Sequence, residues 1–254
     1  MLPPAEVVKT ATEAKKMGKF DSLNYETALN MYNKYGNSVF KIYNYNGFSI
    51  NLSSDSLKSN EWLRQLKRFI INNHMPEGYI IFEVNEQDIY ENLGRVRVWI
   101  NDLIGYKITW SVDNYNNEYY SIKELKDFGF SIIKTSRKLL LDAMSDPVYK
   151  GIIELVVAEC DKRHIKLVAQ GVETTTQVKF VEDTGFKYAQ GYSFYKPLKT
   201  DELIEAIQTA KKEEDESKAP KAEIKSAVME KEDKSNKTKT KKSKAKVKKD
   251  KRKK

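Results

Sequence analysis

The chain opens with two stretches of helical period. Residues 5–17 and 24–35 place apolar side chains three and four apart, with Gly18 and Gly36 as stops and Ala28, Leu29 and Tyr32 on the face of the second. At 48–52 the spacing switches to strict alternation, which predicts a strand. Residues 58–72 return to helical period, with Trp62, Leu66, Phe69 and Ile70 on one side. Strand and helix then alternate: strands over 79–83, 106–112, 130–134, 165–170 and 187–190, and helices near 93–104, near 119–127, from 146, from 174 to Gly185 and from Thr200. Asp146 suits an N-cap with Pro147 in the first turn, and Thr174 with Gln177 forms a capping-box signature.

Six strand starts spaced 22 to 35 residues apart suit βα units and a mostly parallel sheet. Each apolar run ends in a polar group: Asn51, Glu83 with Glu86, Asp113 with Asn114, Lys134, Gln170 with Glu173, and Gln190. Strand ends meet solvent in any α/β fold, so one such residue carries little information. In a β/α barrel, however, all carboxyl ends converge on one rim, and carboxylates and amides gathered there are oxygen donors suited to Mg²⁺ or Mn²⁺.

Composition separates a body from a tail. Residues 211–254 hold 19 basic and 9 acidic side chains, which leaves 26 basic and 27 acidic in 1–210. The body is expected to form one domain, 1–210, and the tail, 211–254, to be disordered for want of apolar residues. The 13 basic residues of 234–254 come with no aromatic, which predicts weak, salt-sensitive polyanion binding or a plain solubility tail, without base stacking. A single cysteine, Cys160, excludes an intrachain disulfide scaffold and a thiolate metal cluster, and reads as a small buried hydrophobe. There is no apolar run of transmembrane length and no signal-peptide pattern, so a cytoplasmic location is expected. Trp62, Trp99 and Trp110 fit core positions, and neither His74 nor His164 is placed for catalysis.

Several segments carry a resemblance: Ser49-Ile50-Asn51-Leu52-Ser53, Phe82-Glu83-Val84-Asn85-Glu86, Ile133-Lys134, Leu167 to Thr174, and Ala189-Gln190-Gly191-Tyr192-Ser193-Phe194-Tyr195-Lys196-Pro197-Leu198. In order and approximate spacing they resemble successive motifs of EAL domains, the cyclic-di-GMP phosphodiesterases of bacterial signalling. The resemblance covers residues 2 to about 207. It implies a β/α barrel in which two divalent cations, Mg²⁺ or Mn²⁺, hold the phosphodiester and activate water for in-line attack. It also implies roles: Asn51, Glu83 and Asp113 are similar to metal ligands, Lys134 to the lysine near the attacking water, Glu173 to a glutamate that steadies the neighbouring metal-site loop, and Gln190 to a pocket glutamine.

The departures point away from hydrolysis. The family's Glu-Ala-Leu precedes the segment that here reads Pro3-Pro4-Ala5-Glu6-Val7, so that glutamate, the arginine after it and two strands are expected to be missing. The expected fold is therefore α/β, a TIM-like β/α barrel lacking its first two strands, with uncovered apolar interior side chains. Either the gene extends upstream, or a protein partner or second copy docks on the open edge, or residues 37–50, including the strand-like 40–45, cover it. The paired aspartates become Asp113-Asn114, the glycine-rich loop becomes Tyr115-Asn116-Asn117-Glu118, and the first glutamate of the Val-Ala-Glu-Gly-Val-Glu segment becomes Gln170, which cannot take a proton near neutral pH. The expected function is a degenerate, non-catalytic EAL signalling or interaction module with at most weak cyclic-di-GMP binding and weak or absent metal. The alternatives are an active phosphodiesterase yielding linear pGpG, with an upstream segment supplying the missing glutamate, and a tail-driven polyanion-binding protein.

Overall fold

In the computed structural model the described residues are 4–42, 47–73, 78–106 and 108–218; His74 and the run from residue 219 lie outside them. Helices α1 (Pro4–Glu13) and α2 (Met17–Tyr35) lead through a π-helical turn, Gly36–Phe40, to strand β1 (Phe48–Asn51). There follow α3 (Ser54–Lys58), α4 (Asn60–Asn73), β2 (Ile80–Asn85), α5 (Glu86–Glu91), α6 (Leu93–Leu103), β3 (Thr109–Tyr115), α7 (Ile122–Asp127) and β4 (Ile132–Thr135). The remainder is α8 (Arg137–Ser145), α9 (Pro147–Lys162), β5 (Lys166–Gln170), α10 (Thr175–Asp183), β6 (Tyr188–Gln190) and α11 (Thr200–Lys218). The chain divides into one unit ending at Leu203 and another starting at Ile204, whose described part is the rest of α11. Among the described residues no helix is long and apolar enough to cross a membrane.

All six strands pair in parallel and in chain order, β1 to β6, as a curled sheet. One face of each strand is closed by helices: Ile50, Phe82, Val84, Val112, Ile133 and Ala169 are each at most 4% exposed. The other face departs from expectation. By the two-residue alternation of the strands it carries Ser49, Asn51, Glu83, Thr109, Ser111, Asp113, Lys134, Lys166, Gln170 and Gln190 against only Ile81, Ile132, Val168 and Tyr188 as apolar residues. The inner face is mainly polar, so leaving it open to water costs far less than an apolar barrel core would.

Three short helices, α3, α5 and α8, were not legible as periodic segments because five to nine residues hold too little period to register. Their caps explain them. Ser53, Asn85 and Ser136 each accept a first-turn backbone N–H, as do Ser121, Asp146 and Thr174 at α7, α9 and α10. Five of these capped starts, all but that of α9, fix the loops that leave the carboxyl ends of the sheet. The first helical break also moves: α2 runs through Gly18, and the chain turns at Lys15, which takes a left-handed φ of 54°.

The strand-like alternation at 40–45 does not give a strand over its described part, and 43–46 lie outside the described residues. Phe40, 1% exposed, instead packs against Tyr35, Phe48 and Tyr79 at ring-centroid distances of 6.1, 5.5 and 6.4 Å. Burying an aromatic ring outweighs the local alternation. Phe40→Ala is expected to lower unfolding free energy by about 3 kcal/mol with an unchanged urea m-value; a loss under about 1 kcal/mol would show that the ring does not close this end of the core.

Candidate functional site

Register brings the polar strand ends together. Asn51 pairs with Glu83 across β1 and β2, Asn85 with Asp113 across β2 and β3, and Gln170 with Gln190 across β5 and β6. Lys134, on β4 between them, is the hub. Its ammonium forms an ion pair with Glu83 Oε1, the two side chains being 10% and 6% exposed, and donates to Gln190 Oε1 at 3.2 Å. Among the described residues the Lys134 ammonium is the partner of Glu83 Oε1. Beside it Gln170 Nε2 donates to Asp113 Oδ1 at 2.8 Å. Burial raises the Asp113 carboxyl above its ordinary range and the nearby Glu83 charge adds to this, against the Lys134 charge and the Gln170 hydrogen bond.

The loop after β3 is shaped without glycine. Asn114 and Asn117 take left-handed φ values of 51° and 62°, which asparagine tolerates better than other side chains, so the expected difficulty with the bend is met by amides. Tyr115, fully buried, donates to Asn117 Oδ1 at 2.8 Å and to the Tyr120 carbonyl at 3.1 Å from inside the loop. From outside, Glu86 at 2% exposure accepts the Asn116 N–H at 2.7 Å and the Tyr119 N–H at 3.3 Å. Tyr119 also stacks on Tyr90 with centroids 4.5 Å apart, and Ser136 Oγ donates to Asn116 Oδ1.

The glutamate whose carboxylate accepts this loop's backbone N–H groups is therefore Glu86. Glu173 instead pairs with Arg137 at 2.7 Å, while its backbone N–H donates to Gln177. The physical reason is placement: Glu86 opens α5 directly beneath the loop, whereas Glu173 follows β5, two strands further along the sheet. Glu86 was visible in the sequence as the second carboxylate of a strand end, but only the fold shows what it binds. Arg137 gave no sequence signal. It lies over Gly171, whose φ of 72° and lack of a Cβ let the arginine side chain pass at contact distance. Gly191 likewise lets its backbone meet Val172, and Val172 N–H donates to the Gln190 carbonyl at 3.1 Å.

Asn51, Glu83 and Asp113 are hard oxygen donors, but they do not fit a two-cation centre as they stand. Two carboxylates face what would be four positive charges, one is already compensated by Lys134, and Asn114 adds no charge. Among the described residues no three of His, Cys, Asp and Glu gather as a ligand set. The remaining singletons are structural: Cys160 is buried, with its thiol pushed up to about 12 by burial, and His164 lies at the far end of β5.

A parallel β/α sheet with its acids, amides and lysine on the carboxyl rim defines a barrel-type domain whose chemistry sits on that rim. The chain belongs to the EAL domain family, whose model matches residues 1–197. The cyclic di-GMP phosphodiesterase RocR of Pseudomonas aeruginosa is 27% identical over 157 residues, covering 59% of this chain and 38% of that protein. The cyclic di-GMP phosphodiesterase PdeA of Borreliella burgdorferi is 25% identical over 150 residues, 59% of this chain and 22% of the relative. The EAL domain of Mycobacterium smegmatis DcpA superposes with a TM-score of 0.66 at 21% identity, covering 76% of this chain and 85% of that one. The PaMucR phosphodiesterase in its c-di-GMP complex gives 0.69 at 19%, covering 80% and 81%. At these identities the structural likeness shows the fold. The first three curated relatives are matched over 22%, 20% and 19% of their length, so the chain spans about a fifth of each.

Two measurements check this geometry. Lys134→Met strands a buried carboxylate and is expected to cost about 3 kcal/mol, with Glu83→Gln in the same chain restoring part of it; additive losses in the urea-derived double-mutant cycle would contradict the pairing. Burial is also the largest influence on Glu86 and raises its carboxyl above 4.5, so the folded state holds its proton more tightly than the unfolded chain. Stability carried by this group thus grows as pH falls through the raised value and is lost as pH rises through it. Wild type should gain on Glu86→Gln in melts taken from pH 7 towards 4.5, and a gap that narrows instead would count against a desolvated carboxylate.

Proposed function

We propose that this chain is a non-hydrolysing EAL domain, a regulatory or interaction module that binds cyclic-di-GMP weakly at the rim without a two-metal centre. The observation that carries this is the engagement of both rim carboxylates from within, Glu83 by Lys134 and Asp113 by the Gln170 amide. Hydrolysis by two metals needs anionic ligands to gather the cations and lower the pKa of bound water. Here one acid is neutralised by an ammonium, and Gln170 donates a proton-bearing amide where a base would have to accept a proton. What remains suits binding. Asn51, Gln170 and Gln190 offer amides, Lys134 offers positive charge for a phosphate, and the loop 114–120 is held by Glu86 and the tyrosines with no ligand present. Residues 1–210 act in this way as the ligand-binding domain, with 211–254 a basic appendage, in the cytoplasm where the buried Cys160 thiol stays reduced.

One observation favours metal-dependent hydrolysis to linear pGpG as a second reading. Glu83 Oε1 is buried with the Lys134 ammonium as its partner among the described residues, so its lone pairs can turn to a cation if Lys134 withdraws and a segment beyond this sequence adds a carboxylate.

Calorimetric titration with cyclic-di-GMP in EDTA, in Mg²⁺ and in Mn²⁺, with chromatography of each mixture, separates the two. We expect a dissociation constant of about 1 μM or weaker, about −8 kcal/mol or less favourable, unchanged by metal, and no pGpG. Turnover in Mn²⁺, or affinity that rises at least about tenfold with metal, would establish the second reading instead.

A further inference from the structure

Four carboxylate or ammonium side chains of the described residues are at most 8% exposed. Glu83, Glu86 and Lys134 belong to the rim. The fourth, Asp21, comes from the middle of α2 and is 1% exposed, on a buried helix face whose other members, Tyr25, Ala28 and Leu29, are apolar. Nothing in that packing calls for a carboxylate. Among the described residues no cation pairs with it, and Oδ1 has no hydrogen-bond partner. A charge kept under such conditions is costly, and burial holds the Asp21 carboxyl above its usual range.

Its other oxygen shows what the residue does. Oδ2 accepts three hydrogen bonds from the turn that follows β1: the Ser53 N–H at 2.9 Å, the Ser53 hydroxyl at 2.6 Å and the Ser56 hydroxyl at 2.6 Å. The same turn is gripped from the opposite side, where Ser54 Oγ donates to Asp88 Oδ1 at 2.6 Å and accepts from Asn92 Nδ2 at 3.0 Å. Leu52 N–H donates to the Glu83 carbonyl at 2.9 Å. Asn51, the residue just before, is exposed and its amide makes no hydrogen bond among the described residues. Its side chain is thus placed beside Glu83 by its backbone alone, which is held by the β1–β2 pairing before it and, two residues on, by the clamp at Ser53.

We propose that Asp21 is a positioning residue: through Ser53 and Ser56 it fixes the turn after β1 and thereby presents Asn51 to the ligand at the rim. The ligand part rests on the function proposed above, while the clamp itself does not. A helix far from the rim in sequence becomes a determinant of the site, and movement of α2 would be felt first at Asn51. An amide cannot replace the carboxylate, because it drops the charge and aims an N–H₂ group at the Oδ1 position, where no acceptor waits.

The test uses the full chain as Asp21→Asn, Asn51→Ala, the double variant, and Ser56→Ala as a milder change that removes one donor and leaves the charge. Thermal melts verify folding of each. In calorimetry with cyclic-di-GMP, Asp21→Asn should weaken binding about tenfold and Ser56→Ala by about threefold, while adding Asp21→Asn to Asn51→Ala should change nothing further. A general structural defect would weaken both backgrounds alike, and that result overturns the proposal. Amide hydrogen exchange without ligand decides the clamp independently: the Ser53 N–H should exchange at least about tenfold faster in Asp21→Asn, with the β3 amides unchanged. If wild type binds no cyclic-di-GMP, the proposed function fails, yet the Ser53 rate still reports on the clamp. Unchanged Ser53 exchange in Asp21→Asn and Ser56→Ala means that Asp21 positions nothing.

Discussion

The Lys134–Glu83 ion pair governs the rim of this sheet. Both side chains are nearly enclosed, so neither charge can stay without the other, and together they set what the neighbouring groups can do. With Lys134 committed to Glu83, its further hydrogen bond among the described residues goes to the Gln190 amide oxygen; with Glu83 compensated, Asp113 is met by an amide donor, Gln170. Two acids that would otherwise attract a dication are spoken for. The electrostatics of the site thus follow from one buried cation near the end of β4.

Around that pair runs a belt of polar contacts from loop to loop. Asp21 holds the turn after β1, and Ser54 joins that turn to Asp88 and Asn92. Glu86 holds the loop after β3, Ser136 joins that loop to the start of α8, and Arg137 joins α8 to Glu173 after β5. Each link uses a capping residue or its neighbour. The helix starts that follow the strands are therefore also what ties the rim loops to one another.

Much of this was legible in the sequence. The six strands, the Asp146-Pro147 helix start and the Thr174–Gln177 capping box follow from period and caps; the third strand is displaced, running from Thr109 to Tyr115 where 106–112 is read, and Glu83, Asp113 and Lys134 stand one or two residues inside the ends of their strands. What escaped has identifiable causes. Helices α3, α5 and α8 are too short to show a period. Glu173 and Glu86 are both glutamates just past strand ends, and only the sheet order reveals that the second lies beneath the loop. The left-handed turns at Asn114 and Asn117 hide because the sequence shows lost glycines, not the asparagines' tolerance of positive φ. Asp21 and Arg137 act across 32 and 36 residues of separation, beyond any local pattern. The polar inner face was in the strands all along, alternating with the core positions, but only the fold shows that its middle, at Glu83, Ser111 and Lys134, is buried.

A non-hydrolysing domain of the kind proposed requires a rim too well compensated to gather two divalent ions. Electron paramagnetic resonance of the full chain titrated with Mn²⁺, with and without cyclic-di-GMP, reads this out. The expected signal is that of free Mn²⁺ up to about millimolar concentration, with no exchange coupling between ions. Two Mn²⁺ bound per chain at micromolar concentration, spin-coupled and lost in Asp113→Asn, would contradict it.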